Sequence, residues 1–182
     1  KHSPEDFYVE EIPAYIPGGS GEHLYLWVEK RNCSTMQVVE QLSQHLKIKA
    51  GSIGYAGLKD KRATTRQWLS VYGSDEAALK ALDLGPDIQI LDIQRHTNKL
   101  RLGHLRGNRF RINIRGVEPA SHTRAQDIIH VLQLTGVPNL FGPQRYGVRG
   151  NNHIIGRAIL RADFETALQE IIGAPASITN QH

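Results

Sequence analysis

Apolar and polar positions alternate most cleanly in residues 23–30, where Leu24, Leu26 and Val28 are interleaved with His23, Tyr25, Trp27 and Glu29. A period of two over this length predicts a β-strand with one apolar face and one aromatic-polar face. The sheet that holds it has a core side, and the aromatic side is the candidate working side. Residues 5–12 predict an opening strand, joined to 23–30 through the turn-forming Pro17-Gly18-Gly19-Ser20-Gly21. The period then changes. Ser34 is an N-cap with Gln37 three residues on, and Met36, Val39, Leu42 and Leu46 recur at helical spacing. This predicts an amphipathic helix whose stripe enters the core. It stops at Lys49-Ala50-Gly51, and residues 52–56 predict only a brief strand, in which Gly54, like Gly57 after it, allows close backbone approach or positive φ.

Residues 67–72 again alternate, Leu69 and Val71 against Trp68, Ser70 and Tyr72. A short helix over 75–82 behind a Ser74 cap, a Gly85-Pro86 turn and a strand over 88–94 follow. Phe110, Ile112 and Ile114 then alternate with Arg109, Arg111, Asn113 and Arg115, a strand with one apolar and one basic face. Ala125, Ile128, Ile129 and Leu132 give a helix over 121–134 that is expected to pack on the sheet and to end before Gly136 and Pro138. Residues 139–147 hold too many glycines, with Pro143, for a regular element. Two short helices close the pattern, one capped by Asn152 and running to Leu160, the other capped by Asp163 with Phe164, Leu168 and Ile171 inward.

Charge changes this picture at one loop. Gly54-Tyr55-Ala56-Gly57-Leu58-Lys59-Asp60-Lys61-Arg62-Ala63-Thr64-Thr65-Arg66-Gln67-Trp68 lies between two of the strands. From Gln41 to Ser74 its Asp60 is the only acid, while Lys47, Lys49, Lys59, Lys61, Arg62 and Arg66 share the span. Neighbouring cations drive a carboxyl further toward its ionised form, which suits a nucleophile, base or electrostatic stabiliser facing a polyanionic substrate. The other reading is a turn Asp paired with a nearby Lys. Arg95, Lys99, Arg101, Arg106, Arg109, Arg111 and Arg115 run without an intervening acid, as do Arg145, Arg149 and Arg157, and both stretches read as phosphate-contacting surface.

The whole chain of 182 residues is long enough for one domain and the start of a second. With 40% hydrophobic and 22% charged residues it is ordinary for a globular protein, and no segment approaches the roughly 20 apolar residues of a membrane span. Cys33 alone forms no intrachain disulfide, and the His residues lack paired zinc-ligand spacing. A reducing cytoplasm, no structural metal and no signal peptide are the expectations.

The Gly54 to Trp68 loop resembles the catalytic signature of the TruD family of tRNA pseudouridine synthases. Three other stretches resemble that family's motifs in its order: Pro4-Glu5-Asp6-Phe7 with Gly19-Ser20-Gly21-Glu22-His23, then Gly107-Asn108-Arg109-Phe110, then Asn139-Leu140-Phe141-Gly142-Pro143-Gln144-Arg145-Tyr146-Gly147. The resemblance implies an α+β fold with a mixed, largely antiparallel pseudouridine-synthase-type sheet and packed helices. It assigns 1–150 to the catalytic domain and 151–182 to the start of an inserted domain, and leaves the family fold's C-terminal part outside this chain. It implies isomerisation of a tRNA uridine, position 13 being expected, without cofactor or metal and by a monomer.

In that reading Asp60 is the nucleophile and Lys1 pairs with it. Lys59 and Asn108 order the loop or hold substrate, Phe110 stacks on the flipped-out base, and Gln67 supports the site. By pattern alone Phe110 belongs to the core. Phe141, Gln144 and Arg145 combine stacking groups with donors, as RNA-binding loops do, or else form a buttress under the catalytic loop. His23 reaches substrate or is structural. A non-catalytic RNA-binding module, or an inactive fragment of such an enzyme, is the alternative function.

Overall fold

The computed structural model describes residues 2–138, 140, 142–147 and 149–173, with backbone alone for 143 and 144. They fall into two compact units, Lys1–Val117 and Glu118–His182. The first contains strands β1 (Phe7–Pro13), β2 (His23–Arg31), β3 (Gly54–Tyr55), β4 (Thr64–Tyr72), β5 (Ile88–His96) and β6 (Leu105–Ile112), with helices α1 (Thr35–Leu46) and α2 (Glu76–Lys80). The strands form one sheet in the order β5-β2-β4-β1-β6, with β3 also on β4. Among the described residues only β1 and β4 pair in parallel; β2–β4, β2–β5, β1–β6 and β3–β4 are antiparallel. The fold is α+β with a largely antiparallel sheet, as expected.

Helix α1 forms behind the Ser34 cap. The Gln37 N–H donates to Ser34 Oγ at 3.2 Å, and the Ser34 N–H donates to Gln37 Oε1 at 2.8 Å, a reciprocal pair that satisfies two otherwise orphaned donors. Val38, Val39 and Leu42 are buried and pack with Leu24, Leu26 and Val28 of β2 and Leu69 and Val71 of β4. Met36, expected in this stripe, is exposed; at 100° per residue the first inward position falls to Thr35, which is buried.

The aromatic side of β2 is not an open working face. Tyr25, Trp68, Ala56 and Leu100 form a second buried cluster there, with Tyr15, Trp27 and Leu105 against it. The His23 ring lies 5.2 Å from that of Tyr72, and burial lowers its pKa.

Several boundaries differ from the pattern for visible reasons. Strand β1 begins at Phe7 because Pro4–Asp6 forms a 3-10 turn, locked by the Ser3 N–H donating to Asp6 Oδ2 at 3.1 Å. Strand β4 begins at Thr64, because Thr64, Thr65 and Arg66 pair with β1 on one side and β2 on the other. Asp75, not Ser74, caps α2, accepting from the Ala77 N–H at 3.0 Å. Strand β6 is an edge strand ending at Ile112, and its expected apolar face is half exposed at Phe110 and Ile112 and open at Ile114.

The second unit contains α3 (Ser121–Thr135), α4 (Asn152–Leu160) and α5 (Phe164–Ile172), with a 3-10 turn at Pro143–Tyr146. Asp163 caps α5 as expected, accepting from the Thr166 N–H at 3.1 Å. Ala158 and Ala167 are buried, and small side chains at both positions allow α4 and α5 to approach closely. Phe164, Leu168 and Ile171, expected inward, are exposed. The cap position of α4 is Asn151 rather than Asn152, and its amide donates instead to Glu170 O and Oε2 at 2.9 and 2.8 Å. The stripe of α3 is not buried within this unit either; Ile128 and Ile129 are more than half exposed.

Candidate active site

The loop carrying Asp60 leaves the sheet through Gly54. A Cβ there would lie 2.3 Å from Leu100 O and 2.4 Å from Ser70 Oγ, so only glycine allows this crossing. Gly57, expected to serve similarly, has no such close neighbour and no positive φ. From Gly57 to Asp60 the loop is held by side chains rather than by ladder hydrogen bonds. Gln67 Nε2 donates to Gly57 O at 3.1 Å, and the Lys59 N–H donates to Thr35 Oγ1 at 3.0 Å. Thr35 Oγ1 in turn donates to Gln67 Oε1 at 2.8 Å, so α1, β4 and the loop share one buried chain of bonds.

Two buried lysines complete the clamp. Lys30 Nζ donates to the carbonyls of Cys33 and Asp60, both at 2.7 Å. Burial lowers its pKa to about 8, and the Cys33 and Asp60 groups oppose that shift. Lys59 Nζ lies 2.9 Å from Glu11 Oε2 and donates to Asn108 Oδ1 at 2.6 Å. The Glu11 and Lys59 side chains are 0% and 3% exposed, so this is an ion pair removed from water. Burial raises the Glu11 pKa, and Lys59 together with the Trp68 N–H, which donates to Glu11 Oε1 at 3.3 Å, pulls it back down. Glu11 and Asn108 are opposite one another in the β1–β6 ladder, so the register of the sheet delivers both partners to one ammonium.

The result is an anchored backbone that presents an exposed carboxylate, Asp60, in solvent reach. Phe110 is two residues beyond Asn108 on the same side of β6, 54% exposed, and meets Phe7 edge-on with ring centroids 5.9 Å apart. Its exposure removes it from the core. The structure thus brings together Lys59, Gln67 and Asn108 around the loop of Asp60, with Phe110 on the neighbouring strand. Arg145 is in the second unit, exposed, in the Pro143–Tyr146 turn. Lys1, Phe141 and the side chain of Gln144 lie outside the described residues.

Glu11, Lys30 and Thr35 escaped the sequence reading. Each carries a signal: Lys30 is in phase with Leu24, Leu26 and Val28, Glu11 is in phase with Val9, and Thr35 opens a helix at the centre of its inward stripe. A charge in phase with a buried face requires a partner. The basic stretch is also less uniform than expected. Arg115 binds Asp6 at 2.8 Å, Arg109 approaches Glu10 at 3.3 Å, and Arg111 lies 4.9 Å over the Tyr8 ring. Arg101 and Arg106 are exposed.

The mixed, largely antiparallel sheet that carries this clamped, cation-rich loop is shared with a solved structure. A crystal structure from Methanosarcina mazei carrying the name tRNA pseudouridine synthase D (TruD) superposes with a TM-score of 0.78 at 34% identity, over 91% of this chain and 39% of that one. The family model for tRNA pseudouridine synthase D (TruD) matches residues 1–182, and the chain belongs to that family. Proteins named tRNA pseudouridine synthase D from Syntrophotalea carbinolica and Geobacter metallireducens are 53% and 48% identical to it, over 98% and 100% of this chain. The chain spans 44% and 45% of their lengths.

Proposed function

We propose that this chain carries the reacting carboxylate of a tRNA pseudouridine synthase, with Asp60 as nucleophile toward a uridine of tRNA, at position 13 as the resemblance implies. The observation that carries this reading is the contrast within one loop: a backbone fixed by Lys30, Thr35 and Gln67, and an Asp60 side chain exposed beside Lys59, Lys61 and Arg62. Holding a nucleophile rigidly removes much of the entropic cost of reaching a reactive geometry. The reaction breaks N1–C1′, turns the uracil and forms C5–C1′, so no electrons or groups are exchanged with a cofactor. Uracil within folded RNA is inaccessible, and extruding it costs a few kcal/mol, offset by stacking and hydrogen bonds in the pocket. Phe110 supplies the stacking surface. Lys59 and Asn108 fix the loop from below, and Lys1 pairs with Asp60. Phe141, Gln144 and Arg145 contact the RNA, residues 1–150 belonging to the catalytic domain and 151–182 to the inserted one.

A second reading, a module that binds tRNA without turnover, is favoured by the exposed Arg101 and Arg106 of the basic stretch. Asp60→Asn separates the two. The synthase reading requires that parent chain form pseudouridine and that the variant bind tRNA as tightly while forming none; equal absence of product in both, with binding retained, supports the module.

A further inference from the structure

Beside the loop of Asp60 is a concavity that the proposed chemistry does not use. It encloses about 200 Å³ and is lined by His2, Ser3, Pro4, Asn32 and Arg62. Arg62 is two residues from Asp60, and Asn32 is tied to the same loop by its N–H, which donates to Ala63 O at 3.1 Å. The side chains of Arg62, Asn32 and His2 make no hydrogen bond or ion pair among the described residues, and all three residues are exposed. The acids nearby are already engaged: Glu5 pairs with Arg31 and Asp6 with Arg115. The concavity is therefore lined by donors that make no hydrogen bond or ion pair among the described residues, with the Asp60 carboxylate two residues along the loop from Arg62.

Resting on the synthase reading, we propose that this concavity is a phosphate subsite that holds a phosphodiester of the RNA backbone next to the target uridine. Its volume is below the roughly 300–1,000 Å³ of sites that enclose a drug-sized ligand, which suits a phosphate group rather than a nucleoside. Arg62 supplies a fork of donors and a fixed charge, the geometry that grips two phosphate oxygens at once. The Asn32 amide and the His2 ring line the same concavity and add further donors. A phosphate contact carries no sequence information, but it fixes the register of the strand. Here it fixes the backbone two residues from the reacting carboxylate, so that the extruded nucleotide swings about a held phosphate.

The test uses this chain with two probes. Inorganic phosphate is titrated at constant ionic strength while the Arg62 Nε–H and Asn32 side-chain amide signals are followed by NMR. In parallel, affinity for unmodified tRNA transcript is measured against salt for the parent, Arg62→Gln and Asn32→Ala. The subsite requires saturable shifts of both signals. It also requires a roughly five- to tenfold affinity loss for Arg62→Gln, with the log–log salt slope reduced by about 1, and a smaller loss for Asn32→Ala with the slope unchanged. Because Arg62 is exposed and unpaired, the thermal unfolding of Arg62→Gln should match the parent, which separates lost contact from lost fold. Parent binding to tRNA that Arg62→Gln leaves at the same affinity and slope overturns the subsite and spares the synthase reading. A parent that binds no tRNA overturns both.

Discussion

Replacing Glu11 by Ala tests how the loop is held. Glu11 is completely buried, and its carboxylate is 2.9 Å from a Lys59 ammonium that is only 3% exposed. Removing one partner of a buried ion pair costs about 3–5 kcal/mol, because the remaining charge stays out of water. The Trp68 N–H, 3.3 Å from Glu11 Oε1, loses its acceptor as well, worth about 1–3 kcal/mol for a buried donor. These costs do not add in full, since Asn108 Oδ1 still accepts from Lys59 at 2.6 Å. A total near 3–5 kcal/mol is expected, a large part of the about 5–15 kcal/mol that stabilises a typical domain. Urea unfolding followed by tryptophan fluorescence reads it directly, because Trp27 and Trp68 have ring centroids 5.1 Å apart in the adjoining cluster. Glu11→Leu combined with Lys59→Met should recover most of the loss, as apolar replacement of both partners commonly does. A loss below about 1 kcal/mol for Glu11→Ala, or a double variant no more stable than the single, refutes this account of the clamp.

Four further outcomes follow from the same geometry. Gln67→Leu frees both Gly57 O and Thr35 Oγ1 and should cost about 1–3 kcal/mol, with faster amide exchange in residues 57–60 as the local readout. Gly54→Ala drives a Cβ to 2.3 Å from Leu100 O and should cost at least the about 1–3 kcal/mol of overpacking, seen as a lower urea midpoint. Arg115 holds the Asp6 carboxyl down at about 2, so its stabilisation is present above the ordinary Asp value and is lost as pH falls toward 2. An acid titration of unfolding should be shallower in Asp6→Asn, and an unchanged profile contradicts the pair. Lys30 runs the opposite way: its folded pKa of about 8 is below the unfolded value, so between pH 8 and about 10.4 the unfolded chain binds more protons and stability from this group rises with pH. Lys30→Met should abolish that rise.

Local periodicity made the elements of the first unit legible, and it failed where burial depends on partners distant in sequence. The Ser34-x-x-Gln37 box and the alternation of Leu24, Leu26 and Val28 announce α1 and β2 because capping and pleat are local events. The apolar residues of α3 and α5 have the right spacing, but spacing does not supply a covering surface, and Ile128, Ile129, Phe164 and Leu168 remain exposed. At the site, Asp60, Lys59, Gln67 and Asn108 are legible through motif resemblance, and charge composition alone leaves Asp60 as readable as an ordinary turn residue. Glu11 became visible only with the β1–β6 register, which sets it opposite Asn108 across the sheet. The aromatic face of β2 misled for a related reason: Tyr25 and Trp68 look like a working surface in the sequence, and they bury one another once β2 and β4 are adjacent.

The central claim is that Asp60 performs pseudouridine formation, and the direct test is to incubate unmodified tRNA transcript with this chain and with Asp60→Ala, then map product base by base. Pseudouridine at position 13 with the parent and none with the variant is the result predicted. Equal product from both would contradict the role given to Asp60, and absence of product from both despite retained tRNA binding would assign this chain to binding alone.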